Sequence, residues 1–102
     1  MIKVVHCKKH LHDIYIGRPS KWGNPFSHLP GTLAEFQVPT REQAIQKYEE
    51  WIVTQPQLLA DLPELLGKTL GCWCAPKPCH GDVLKRLAES YAAPTLVFNN
   101  ER

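Results

Sequence analysis

Hydrophobic and polar positions change period several times along this chain, and each change marks an element. Residues 2–8 are rich in β-branched side chains and predict a first strand. A second, shorter strand is predicted at Asp13-Ile14-Tyr15-Ile16, with Ile14 and Ile16 on one face and Tyr15 on the other. Residues 17–39 carry Gly, Pro, Ser and Asn at short intervals without a sustained period, which predicts a long loop. Loops of that length inside compact domains usually have a function. Thr40 then opens a helix: Thr40 and Gln43 have capping-box spacing, and Ala44, Ile45, Tyr48, Trp51 and Ile52 form one apolar stripe, with Arg41, Gln46, Glu49 and Glu50 placed mostly outside it. Pro56 and Pro63 divide residues 55–66 into one or two short helical pieces that lean on leucines, and Gly67 is a helix stop. Residues 69–74 read as a buried strand and residues 75–78 as a turn. A last helix is expected from Cys79 or His80 to Tyr91, followed by a tail that adds an edge strand through Thr95 to Phe98 or frays.

Strands interleaved with helices, and a buried strand leading directly into a helix, predict a small single-domain α/β fold. The expected sheet is at least partly parallel, carries about three helices in two or three layers, and has its core within residues 2–92. The 102 residues fit one domain able to bury a modest core without a metal or disulfide. Hydrophobic residues at 43% and charged residues at 22% argue against disorder over most of the chain. A formal net charge of +2 allows an anionic ligand at a local basic site but does not predict a broad nucleic-acid surface. No apolar run approaches the length of a membrane span, and the first residues turn polar too soon for a secretory signal. A cytoplasmic setting is therefore expected, with the four cysteines as thiols or metal ligands instead of disulfides.

The chemistry-bearing stretch is Gly71-Cys72-Trp73-Cys74-Ala75-Pro76-Lys77-Pro78-Cys79-His80-Gly81. In α/β sheets ligands collect beyond the carboxyl ends of strands, where helix amino termini present free amides. Cys79 falls at the expected N-cap and His80 in the first turn, a setting that lowers a thiol pKa, with Lys77 adding positive charge. Gly81 would let a ligand approach the backbone. Three readings compete. Cys79 and His80 act as nucleophile and acid/base, or as contacts, for an anionic ligand. Alternatively Cys72, Cys74, Cys79 and His80, with or without Cys7, hold zinc, since alternation puts Cys72 and Cys74 on one strand face. Otherwise Cys72 and Cys74 simply fill core volume, and Trp73, pointing away from them, belongs to the core.

A second candidate is Gly17-Arg18-Pro19-Ser20-Lys21-Trp22-Gly23-Asn24-Pro25-Phe26. Arg18 could grip a phosphate or carboxylate through paired hydrogen bonds, and Lys21 could add a point charge. Ser20 and Asn24 offer hydrogen bonds, and Trp22 could stack on a base or sugar. Alternatively, this is a turn whose cations are solvated and whose Trp22 and Phe26 plug the core edge. His10, His12 and His28 carry little weight as ligands.

Taken together, Ile16-Gly17-Arg18-Pro19, Trp22-Gly23-Asn24-Pro25-Phe26, Tyr48 with Trp51, Leu70-Gly71-Cys72-Trp73-Cys74-Ala75-Pro76 and Cys79-His80-Gly81-Asp82-Val83-Leu84 resemble the domain of unknown function 4326 family. The resemblance runs from the first strand to the last helix and implies a bacterial or phage protein, in the latter case in the host cytoplasm. It brings no activity with it. The Cys-His ending is also similar to the domain of unknown function 488 family, except that Gly81 stands where an Arg is expected and Cys74 at or beside an acidic position.

These readings converge on a protein that binds or acts on a nucleotide or another phosphorylated, anionic small molecule. Arg18, Ser20, Lys21, Trp22, Asn24, Lys77 and Gly81 would form the binding surface, with Cys79 and His80 at the reactive part. No cofactor is required. A zinc-stabilised non-catalytic module and a nucleic-acid-associated protein are the alternatives. The first reading expects the loop after the second strand to fold over the amino end of the last helix.

Overall fold

In a computed structural model, residues 1–29 and 34–101 are described, with side chains through residue 90. The strands are β1 (Lys3–His6), β2 (Ile14–Tyr15), β3 (Phe26–Ser27), β4 (Phe36–Gln37) and β5 (Thr69–Cys72). The helices are α1 (Arg41–Ile52), α2 (Pro56–Asp61) and α3 (His80–Glu101), with a 3-10 turn at Leu62–Leu65 after α2.

β5 lies between β1 and β2 and runs parallel to both, so Val5 and Tyr15 flank Gly71. Residues 7–13 therefore carry the chain over β5 without a helix, where a parallel crossover ordinarily takes about a dozen residues or more. Gly71 makes the short path feasible. The His12 imidazole lies over it, and a Cβ there would stand 2.6 Å from the ring. Asp13 clamps the end of the crossing, because its N–H donates to the Thr69 carbonyl and its carboxylate accepts the Thr69 N–H, both at 2.8 Å.

The opposite face of the sheet is apolar. Ile2, Ile16, Leu70 and Cys72 pack there with Tyr48 and Ile52 of α1, Leu62 and Leu65 of the 3-10 turn, and Val83, Leu84, Leu87 and Ala88 of α3. Each large aliphatic side chain buried in this way contributes about 1.5–3 kcal/mol. The fold is thus α/β with parallel strands and three helices, as the sequence predicts. Among the described residues no helix is long and apolar enough to cross a membrane.

Local chemistry explains most element ends. Thr40 Oγ1 accepts the Gln43 N–H at 3.1 Å and starts α1. Pro56 and Pro63 each sit in the first turn of their short helices, where a missing N–H costs nothing. Gly67, at φ 75°, turns the chain toward β5 in a conformation that a side chain would strain.

Four expectations are corrected. The segment 17–39 is not all loop: β3 and β4 pair in parallel within it, and Phe26 stacks on Phe36 at 5.2 Å. Two-residue strands are too short to show a period, and residues 30–33 lie outside the described part. β5 stops at Cys72 instead of Cys74 because its ladder partners end at His6 and Tyr15. Trp73 is not core: it is 55% exposed and lies beyond the end of the ladder. Finally, α3 continues through Thr95 to Phe98, so no edge strand forms there. Once nucleated, a helix extends at little cost per residue, and Ala92 and Ala93 carry α3 past its expected end at Tyr91.

Candidate functional site

A cavity of about 100 Å³ opens where the carboxyl ends of β2 and β5 meet the amino end of α3. Gly17 and Arg18 reach it from β2, Cys72 to Cys74 from β5, and Cys79 and His80 from α3. Ser27 to Leu29 and the first turn of α1 close the remaining side. The loop after β2 thus lies against the start of α3, fastened by a 2.7 Å hydrogen bond between His80 Nε2 and the Ile16 carbonyl.

Two sulfurs form one wall. Cys72 Sγ and Cys79 Sγ are 3.2 Å apart, both are free thiols, and both residues are almost fully buried. Cys79 caps α3 in an uncommon way. Its sulfur accepts the Gly81 N–H at 3.3 Å, and Asp82 reaches back to accept the Cys79 N–H at 3.0 Å. The sulfurs share a proton unequally. The hydrogen bond from Cys79 draws the Cys72 pKa down to about 6 against the opposing effect of burial, with backbone N–H groups of Ala75 and Cys74 assisting. Cys79 is pushed up by that same bond and by burial. The lowered thiol is therefore Cys72, whereas helix position alone pointed to Cys79. The hydrogen bond to Cys72 and the burial of Cys79 outweigh the helix terminus.

His80 is 9% exposed, and burial pulls its pKa down to about 4. Since a carbonyl can only accept, the neutral ring carries its proton on Nε2, with Tyr48 packed edge-on at 5.0 Å. These contacts make His80 a tether between α3 and the β2 loop. Its bonded, neutral ring does not suit the acid/base or phosphate-contact role expected of it, and it supplies no imidazolium to the thiols.

Arg18 and Arg41 provide the positive charge. Arg18 Nη1 donates to the Asn24 carbonyl at 2.7 Å, and Arg41 Nη1 to the Pro78 carbonyl at 3.4 Å. Among the described residues, no ion pair involves either guanidinium. Next to them, Trp73 Nε1 donates to Tyr15 Oη at 2.8 Å, and Tyr15 Oη donates to the Arg18 carbonyl at 3.1 Å. The exposed indole is thereby held at the cavity mouth.

The other expected ligand contacts are arranged differently. Asn24 lines the cavity but spends its amide on structure, donating to the Ala44 carbonyl at 3.1 Å and accepting the Phe26 N–H at 2.9 Å. Trp22 is 1% exposed in the core, which leaves no ring face for a base. Lys21 turns away to Asp61 and Glu64, each at 3.0 Å. Ser20 and Lys77 do not line the cavity. Gly81 is needed for packing: a Cβ there would meet Ile16 and Val4 at 2.9 Å. Cys74 lines the cavity beside the sulfur pair, and among the described residues no three of His, Cys, Asp or Glu are grouped at metal-ligand spacing. Of the remaining histidines, His28 lines the cavity and His12 covers Gly71.

Sequence reasoning missed Arg41, although a signal was present. Arg41, Ala44, Ile45 and Tyr48 follow i, i+3, i+4, i+7 spacing, so this cation begins the inward stripe of α1. Ser27 had no such signal, because β3 becomes visible only through its pairing with β4.

Comparison with known proteins agrees with the sequence resemblance. The sequence model of the family described as Domain of unknown function (DUF4326) matches residues 3–90. An uncharacterised protein, R718, of Acanthamoeba polyphaga mimivirus is 37% identical over 74% of this chain and 65% of its own length. The chain thus spans slightly less than two thirds of that relative. An uncharacterised 12.4 kDa protein from the nrdA-td intergenic region of Enterobacteria phage T4 is 32% identical over 85% of this chain and 77% of its own. No solved structure matches.

Proposed function

Because this chain belongs to the family described as domain of unknown function 4326, a membership that specifies no reaction, we propose its function from the cavity itself: it binds, and through a thiol acts on, a nucleotide or another phosphorylated small molecule. The observation that carries this reading is the presence of two guanidiniums without carboxylate partners among the described residues, on the same cavity as a thiol of lowered pKa. Arginine forks match phosphate oxygens bidentately, and their attraction strengthens in a site that excludes water. Arg18 and Arg41 hold the anionic group. Cys72 faces the bound molecule as nucleophile or hydrogen-bond acceptor, and Cys79 keeps the shared proton. His80 fixes the Arg18 loop and is a positioning residue.

Calorimetric titration with nucleotides, sugar phosphates and inorganic phosphate tests the proposal. At least one phosphorylated compound should bind saturably, and Arg41→Ala should weaken it about 10- to 100-fold, the value of one or two charge-assisted hydrogen bonds. Absence of saturable binding across the panel, or binding indifferent to Arg41→Ala, would refute it. Metal analysis of the same preparation addresses the alternative: one equivalent of zinc retained through purification would favour a zinc-stabilised module built on Cys72, Cys74 and Cys79.

A further inference from the structure

We propose that Cys72 and Cys79 are a redox-active dithiol that a small hydroperoxide, admitted through the cavity, converts reversibly to an intrachain disulfide. The inference does not depend on which ligand the arginines hold. It rests on the 3.2 Å separation of two free sulfurs, against about 2.05 Å in a formed disulfide, so closure requires only a small approach. Chain geometry maintains that proximity. Cys72 ends the central strand, Cys79 caps α3, and both segments are anchored in the core.

Each sulfur also receives a backbone N–H, Cys72 from Ala75 at 3.4 Å and Cys79 from Gly81 at 3.3 Å. These donors stabilise negative charge on whichever sulfur attacks or leaves. Both residues line the cavity despite their low exposure. Its volume of about 100 Å³ admits a peroxide, since a water takes up about 30 Å³.

The chemistry balances in two steps. The Cys72 thiolate attacks one oxygen of the hydroperoxide ROOH; an S–O bond forms, the O–O bond breaks, and RO⁻ leaves and takes up a proton to become ROH. Cys79, giving its proton to the departing hydroxyl, then attacks the Cys72 sulfenic sulfur; an S–S bond forms and water leaves. Two thiols lose two electrons and the peroxide gains them. A small dithiol reductant restores the pair by exchange.

Reduced, metal-free full-length protein is treated with hydrogen peroxide and mapped by peptide mass spectrometry without reductant. The expected product is a linked Cys72–Cys79 pair, lighter by two hydrogens and reversed by dithiothreitol. It should appear about tenfold or more faster than oxidation of Cys7, an internal reference thiol. Cys74→Ser should leave it unchanged, and Cys79→Ser should stop at a Cys72 sulfenic acid that dimedone traps. Linkage through Cys7 or Cys74, or oxidation of the pair no faster than that of Cys7, would overturn the proposal. The wild-type map decides the matter even where a variant fails to fold.

Discussion

Between neutral pH and pH 4, acid protonates His80 in the unfolded chain while the folded protein resists. The ordinary value is 6.5, and burial holds the folded ring at about 4, with the Arg18 charge adding to the decrease and the Ile16 carbonyl and Asp82 opposing it. Above pH 6.5 the ring is neutral in both states and stability is independent of it. Below that the unfolded state binds a proton that the folded state refuses, so stability falls with pH until about pH 4, where both states are protonated. A gap of about 2.5 units at 1.36 kcal/mol each is worth roughly 3 kcal/mol. That is a large part of the 5–15 kcal/mol typical of a domain. Urea unfolding of wild type and His80→Gln at intervals from pH 7 to pH 4 measures it. Gln retains a donor for the Ile16 carbonyl but does not titrate. The Glu89 carboxylate, lowered by its bond from the Ile2 N–H, contributes equally to both proteins and cancels. The stability difference, wild type minus variant, should shrink by about 3 kcal/mol across this range. Should His80→Gln not fold, NMR of the wild-type imidazole should show a neutral ring down to about pH 4. A ring titrating near 6.5, or parallel pH profiles, would refute the reasoning.

Two further outcomes follow from the packing. Gly71→Ala should destabilise the fold by about 1–3 kcal/mol by displacing the His12 ring, and adding His12→Ala should recover most of the loss. Neutral behaviour of Gly71→Ala in denaturant would show that the crossing over β5 does not depend on this contact. Lys21→Ala should cost less than about 1 kcal/mol, because its ion pairs are exposed, and should leave ligand affinity unchanged. A tenfold affinity loss on titration would return Lys21 to the site.

Much of this protein is legible from local pattern. The helical period of α1, its Thr40 cap, the breaks at Pro56 and Pro63 and the stop at Gly67 all arise from contacts within a few residues. So does the strand-to-helix passage that puts Cys72 and Cys79 at one end of the sheet. The cation choice was not legible. Arg18, Lys21 and Arg41 are equally basic in the sequence, and Asp61 and Glu64, distant in the chain, remove Lys21 from contention.

The aromatic residues show the same division. Trp22 and Trp73 both sit in Gly/Pro-rich surroundings, yet one is buried beneath α1 contacts and the other lies exposed at the cavity mouth. The ionisation of the sulfurs, too, depended on a neighbour that no spacing rule identifies: the 3.2 Å contact between them lowers Cys72 and raises Cys79. Sequence alone determined the elements other than β3 and β4, their order and the end of the sheet that carries reactive groups, because propensity, capping and periodicity act over one or two turns of chain. Tertiary structure decided which side chains meet there and in what charge state, because partner choice, burial and dielectric are set by residues that come together only when β5 inserts between β1 and β2.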